Sequence, residues 1–560
     1  MAKIIEIKDL PKLLGNPLPD DYLILQGDTE TYKITVNDFL TKWDEQKLND
    51  NEAIVEITSS NPGINIFRNG NSVILSNHGV LTLSAGNGIN LSSSTGDIVI
   101  SSSSSYGNNC TVASGGLPRN AGAYDYNAFI SIDRNHILFA GNSKSLGLSQ
   151  IRSSSAAFNL IDPAGDMSEK RNYNWESIYN GYQYWAGLTS EKRIFLGGVW
   201  SHGDGRGNTA EYIYFDANNS ISRTELGTIP TAIYVPFHTR GNYATMFITG
   251  QNGELYGFGH NPYGWLATNN TASKSIVTSL AISNVASVAA KGSTVLVLQG
   301  NGQVKTAGYG QTGEMGDGGR AVTNPTWHTV QDASDNSVLD RITKIAIESA
   351  DTSASCFAID ADGSLWAWGY NAYGQLGNNT TSESTRATLV AQNVNDVYTG
   401  GGDFQSTYYV KTGRTELYAC GYNGYGQLGN GLDDGIARSF TKVFDAAAYD
   451  STITKVACGG TNKFTTALIL LANGRMFAAG YMPGTMGLGD HKNWLEINPP
   501  FNYKSGVKAI DIAINGLSNE YSMFALGSDG NVAGIGFNKA FKLGSLALPG
   551  EWAPFWTLIK

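Results

Sequence analysis

Apolar and polar positions alternate in short stretches along most of this chain, and from about residue 107 onward they do so with a long period. An apolar strand runs into Asn-Gly or Asp-Gly, and a second apolar strand then ends on a glycine. The turn pairs are Asn252-Gly253, Asn301-Gly302, Asp362-Gly363, Asn473-Gly474 and Asp529-Gly530, each followed six residues on by Gly259, Gly308, Gly369, Gly480 and Gly536. Asn-Gly and Asp-Gly supply positive φ angles, so the spacing predicts β-hairpins closed by type I′ turns. Three looser copies end at Gly141, Gly197 and Gly421, which brings the series to eight glycines spaced 49 to 62 residues apart. Strand units repeating at such a period predict a propeller or solenoid, because one unit cannot bury its own faces and must stack on neighbours.

Composition agrees with many short strands and tight turns. The 560 residues include 67 glycines and 28 tyrosines, and only 15% are charged. The net charge of −10 argues against a nucleic-acid partner, since phosphate binding needs a basic face. No apolar run is long enough for a membrane-spanning helix, and the N-terminus MAKIIEIKDLPKLL lacks the features of a secretory signal, so neither membrane insertion nor export is expected. Cys110, Cys356, Cys420 and Cys458 lie far apart and read as buried free thiols.

The best-formed copies carry a specific motif. WGYNAYGQLGN (368–378) and CGYNGYGQLGN (420–430) resemble the regulator-of-chromosome-condensation repeat, and HNPYGWLA, GYGQTGEMGDG and GFNKAFKLG look like degraded forms of it. The resemblance spans about four fifths of the chain. It implies an all-β propeller of four-stranded blades over 107–560. Seven blades are usual for that family, but the complete first and last copies here favour eight. A strand from near residue 107 could complete the last blade. The nucleotide-exchange role known in the family is not expected, because the charge has the wrong sign and no basic tail is present.

Residues 1–106 read differently. The segment DDYLILQGDTETYKIT predicts a hairpin turning at Gly27-Asp28. Thr35, Asp38 and the apolar Val36, Phe39, Leu40 and Trp43 predict a short helix after it. This small α+β segment, 1–50, resembles the virion-attachment segments of bacteriophage fibre proteins. GVLTLSAGNGINLSSSTGDIVISSSSS (79–105) alternates at Leu81/Leu83, Ile89/Leu91 and Ile98/Ile100 and looks like the stalk repeats of trimeric phage tail fibres. So few apolar positions cannot stabilise a domain alone, so 51–106 is expected to form a thin β stalk by trimerising, with Ser101–Ser105 as a flexible joint.

Candidate chemistry is sparse. The seven histidines show no metal-ligand spacing, and no nucleophile elbow or phosphate loop occurs, so no catalytic residue, metal or cofactor is assigned. Asp360-Ala361-Asp362-Gly363 occupies a hairpin turn and lacks the remaining ligands of a calcium loop. Paired acidic residues for polysaccharide hydrolysis could lie anywhere among 48 carboxylates, yet depolymerases of that kind more often use other folds. Binding candidates are the irregular loop with Trp200, His202, Asp204 and Arg206, and the aromatics just past the blade glycines: Tyr263, Trp265, Tyr370, Tyr422 and Tyr481. Trp265 stands where the better copies carry Gln, and a departure from consensus is a better site candidate than the consensus. The chain therefore reads as a virion fibre or appendage protein, assembled in the host cytoplasm. Residues 1–50 would meet other virion proteins and the propeller would bind a host surface glycan or protein. The alternatives are a structural capsid or baseplate fibre docking on another virion protein, and a polysaccharide depolymerase.

Overall fold

A computed structural model describes the backbone of strands along the whole chain. It describes side chains over 228–236, most of 245–536, a few positions between 177 and 194, and Trp556. The chain divides into two compact units, 1–108 and 109–560.

In the first unit, β1 (Leu23–Gln26) and β2 (Thr31–Ile34) pair as an antiparallel hairpin. The helix expected after Thr35 lies outside the described residues. The strands of the Ser-rich region, β6 (Val80–Ala85), β7 (Ile89–Leu91) and β8 (Ile98–Ser102), do not await other copies to find partners. With β3 (Val55–Ser59), β4 (Ile64–Asn69) and β5 (Ser72–Asn77) they complete two four-stranded sheets, β2-β1-β3-β6 and β4-β5-β8-β7, inside one chain. The expectation that Ser101–Ser105 form a joint needs correcting at its start. Ser101 pairs with Ser72 and Asn90, and Ser102 with Ile89, because Ile98 and Ile100 carry the strand into the serines.

In the second unit the described strands form eight sheets, each of four strands in sequential order. These blades span 111–161, 175–215, 230–279, 285–329, 342–391, 394–445, 453–496 and 509–558. The first strand of every blade lies beside the first strand of the next, and β37 (Ala509–Leu517) of blade 8 lies beside β9 (Thr111–Gly115) of blade 1. These first strands therefore surround the axis and the ring is closed. Blade 8 has four strands of its own, so no strand from near residue 107 is borrowed, and closure rests on blade-to-blade packing.

The sequences of the second strands explain that packing. Thr245–Gly250 and Thr466–Leu471 are buried at every residue, because each lies inside a sheet covered on both faces by neighbouring blades. The core is accordingly a series of seams. Leu417, Leu428 and Phe444 of blade 6 meet Ile453, Ile469 and Phe477 of blade 7 in one of them.

The hairpin turns differ from the type I′ expectation. In the four described pairs only the second residue has positive φ: Gly253 at 76°, Gly302 at 81°, Gly363 at 79° and Gly474 at 86°. Gly253 N–H donates to Gly250 O at 2.9 Å, and Gly250 N–H to Glu254 O at 3.0 Å. This is a three-residue loop, a type I turn followed by a left-handed glycine. The residue before the glycine keeps its side chain for the next strand: Asn252 Oδ1 accepts from Glu254 N–H, Asn301 Oδ1 from Gln303 N–H and Asn473 Oδ1 from Arg475 N–H. In blade 5 the corresponding bond comes from Asp360, whose Oδ1 accepts from Ser364 N–H at 2.9 Å, while Asp362 pairs with Arg341.

Candidate functional site: an aromatic rim on one face of the ring

The blade glycines order one face. Gly308, at φ 111°, and Gly480, at φ 108°, close their third strands directly against the carbonyl that opens the second strand. That carbonyl accepts from the next residue: Tyr309 N–H to Ser293 O, Tyr370 N–H to Ala354 O, Tyr422 N–H to Gln405 O and Tyr481 N–H to Thr465 O, each at 2.9 Å. In each of blades 4 to 7 one tyrosine backbone is thus pinned at the same rim position.

The motif that follows builds a rigid knuckle. Asn371 is fully buried; its Oδ1 accepts from Leu376 N–H at 3.0 Å and its Nδ2 donates to Ser382 O at 2.9 Å. Asn423 does the same for Leu428 and Leu432, and Asn261 for Leu266 and Asn270. Blade 4 has Gly310 in this position, and the amide of Asn324 fills the space a side chain there would take. Replacing Asn371 by Ala strands a buried amide and two carbonyls, so Asn371→Ala is expected to cost about 3 kcal/mol, read as a lower denaturation midpoint of the full chain.

Each knuckle docks on the next blade. Trp368 Nε1 of blade 5 donates to Glu314 O of blade 4 at 2.9 Å, and Cys420 Sγ of blade 6 to Gln375 O of blade 5 at 3.4 Å. Tyrosines from adjacent blades then meet edge-on above the seams. Tyr263 and Tyr309 lie 5.2 Å apart, Tyr373 and Tyr422 5.6 Å, and Tyr425 and Tyr481 5.2 Å. All six are half-buried. At the seam of blades 4 and 5 the knuckle carries Thr312 where its neighbours carry Tyr373 and Tyr425, so the series is interrupted there.

The predicted residues separate on this frame. Tyr263, Tyr370, Tyr422 and Tyr481 stand on the rim. Trp265 does not: its indole is 1% exposed, donates to His260 O and meets Phe247 edge-on at 6.1 Å. It fills by shape the seam position that Gln375 and Gln427 fill with hydrogen bonds, so its departure from the motif is a packing solution and not a surface platform. Trp200, His202, Asp204 and Arg206 lie outside the described residues. Sequence reasoning missed Phe404. It sits 4.8 Å from Tyr373 and 4.9 Å from Tyr422, in a connection where the matching positions of blades 4 and 5 carry Gly292 and Ser353.

It also missed Glu314, which holds the Gln position of the blade 4 knuckle and is fully buried. Its carboxylate accepts from Thr312 N–H, Thr312 Oγ1 and Ala354 N–H. Burial pushes its pKa from 4.5 up to about 7, against those bonds, which favour the charged form.

The opposite face, bearing the hairpin turns, is charged. Asp396 takes Lys344 of blade 5 and Arg414 of its own blade 6, Lys455 of blade 7 takes Asp511 of blade 8, and Lys411 and Lys442 both take Glu416 and hold its carboxyl down at about 2. Arg475 pairs with Glu496 and lies over the Tyr449 ring at 4.4 Å. Among the described residues, no cluster of three His, Cys, Asp or Glu side chains is placed to hold a metal, and no helix is long and apolar enough to cross a membrane.

The second unit is thus a closed propeller of eight four-stranded blades. Residues 362–401 match the model of the regulator of chromosome condensation (RCC1) repeat. The human E3 ubiquitin-protein ligase HERC2 is 29% identical over 227 residues, covering 40% of this chain and 4% of that protein. The ultraviolet-B receptor UVR8 of Arabidopsis thaliana is 27% identical over 207 residues, 36% of this chain and 44% of its own length. Both are matched over less than half their length. The crystal structure of Prp20p from Saccharomyces cerevisiae superposes with a TM-score of 0.48 at 17% identity, over 71% of this chain and 92% of that one.

Proposed function

We propose that this chain is the attachment protein of a virion fibre or appendage, whose propeller is a non-catalytic head that binds the host cell surface. The observation that carries the reading is the aromatic rim. Its half-buried tyrosines are fixed by backbone hydrogen bonds on one face of the ring. Amphipathic rings held rigidly at a surface favour binding, because little side-chain entropy is lost on contact. The fibre assignment rests on the resemblance of residues 1–106 to phage attachment and stalk segments. In this reading residues 1–50 meet other virion proteins and 51–106 trimerise.

The test is adhesion by the labelled full chain across a panel of bacterial strains. Saturable binding to some strains, with no loss of chain length in their purified polysaccharide, is the expected result. Shortened polysaccharide would support the depolymerase alternative. Binding to no strain, with capture of a virion protein instead, would support the structural-fibre alternative. Light scattering on the full chain is expected to give three times the mass of one chain, and a monomer would remove the trimeric stalk.

A further inference from the structure

We propose that Tyr370, Tyr373, Phe404 and Tyr422, at the junction of blades 5 and 6, form the binding site for a neutral pyranose unit of a surface polysaccharide. This rests on the attachment reading and specifies its ligand. The first argument is that blades 4 and 5 fold without an aromatic ring at the position of Phe404. The register that pairs Gly421 with Ser406 pairs Gly308 with Thr294 and Gly369 with Ser355, which makes Gly292 and Ser353 the counterparts of Phe404. A phenyl ring therefore stands where blades 4 and 5 fold with no side chain or a hydroxymethyl, while the sequence has Tyr243 and Phe464 at the same distance before the second strands of blades 3 and 7. It turns a two-ring contact into a group of four.

The second argument is geometry. Phe404 is tilted 33° from Tyr373 and 63° from Tyr422; Tyr370 meets Tyr373 at 73° and 6.4 Å. Rings inclined to one another offer π faces with hydroxyls at their edges. A pyranose needs that combination, because it presents an apolar C–H face bordered by hydroxyls. The other rim contacts, Tyr263 with Tyr309 and Tyr425 with Tyr481, are likewise edge-on.

The third argument is support from below. Tyr373 N–H donates to Gln375 Oε1 at 2.9 Å, and buried Gln405 donates to Ser353 O at 2.9 Å while facing Gln375 Nε2 at 3.5 Å. Those two amides link blades 5 and 6 directly beneath the rings, so the site is preorganised. Charge then selects the class of glycan. The four side chains carry no cation to pair with a uronate or sulfate, and a net charge of −10 opposes polyanions.

The probes are dextran and mannan as neutral polymers and alginate as an anionic one, titrated calorimetrically into the full chain. Binding to at least one neutral polymer and none to alginate is expected. Phe404→Ser, which installs the residue of a sister blade, should weaken binding roughly tenfold, as should Tyr422→Leu, while Tyr449→Ala on the opposite face leaves it unchanged. Circular dichroism identifies any variant that fails to fold, and the remaining one then decides. Neutral binding that survives both variants, binding to alginate alone, or no binding to any of the three overturns the site. If Phe404→Ser abolishes adhesion to cells while no polymer binds, the attachment reading stands and the occupant is a protein receptor. If polymer binding is lost but adhesion persists, the sugar site stands and attachment lies elsewhere.

Discussion

Glu314→Gln is expected to stabilise the full chain at pH 8 by about 3 kcal/mol and to remove a pH dependence that the natural chain shows between pH 4.5 and 7. The carboxyl titrates near its ordinary 4.5 in the unfolded chain and at about 7 in the blade 4 knuckle. A raised folded pKa means that the fold prefers the protonated acid. Its stabilising contribution is complete below 4.5, declines as pH rises toward 7, and is absent above that. The groups facing it cannot offset the charge. Thr312 and Ala354 offer neutral donors, and Tyr309 and Cys356, whose own pKa values are raised first by burial and then by Glu314, stay protonated through this range. The amide of Gln375 shows how the substitution fits, since its Oε1 accepts the corresponding backbone N–H from Tyr373. Urea unfolding followed by tryptophan fluorescence, at several pH values for both chains, checks this. Parallel profiles for the two would show that Glu314 is not the titrating group.

Gly308→Ala should be among the most damaging single-methyl changes in the chain, costing about 3 kcal/mol or more. The added Cβ would lie 2.2 Å from Ser293 O, a backbone atom that already accepts Tyr309 N–H, at a φ of 111° that other residues rarely adopt. The blade can relieve the clash only by opening the pairing of its second and third strands. Gly413→Ala separates the two causes. That glycine also has positive φ, at 90°, but a Cβ there meets nothing within 4 Å, so only the conformational cost of about 1 kcal/mol should appear. Equal losses at the two positions would refute the steric account.

Much of the ring could be read from the sequence because the repeat forces it. Turn glycines and blade glycines recur for backbone reasons, and those reasons hold in every blade whatever the side chains do. The rim was only partly legible. Tyr370 and Tyr422 follow a blade glycine, and that spacing alone puts them on the rim. Trp265 was misplaced because one position of the motif can be filled by a hydrogen-bonding amide or by a bulky indole, and a single sequence does not distinguish packing from exposure. Phe404 was invisible because its neighbours in space, Tyr373 and Tyr422, come from two different blades. Glu314 was legible in principle as an acid in a column of amides. The turn type escaped because Asn-Gly suits either loop, and the choice depends on a side-chain bond to the following strand.

Hydroxyl-radical footprinting of the full chain, free and bound to adherent cells, tests the central claim most directly. The account predicts protection of Tyr373, Phe404 and Tyr422 on cell binding, with Trp366 and Tyr449 on the charged face labelled as in the free protein. Protection of Trp366 and Tyr449 with the rim still labelled would contradict it.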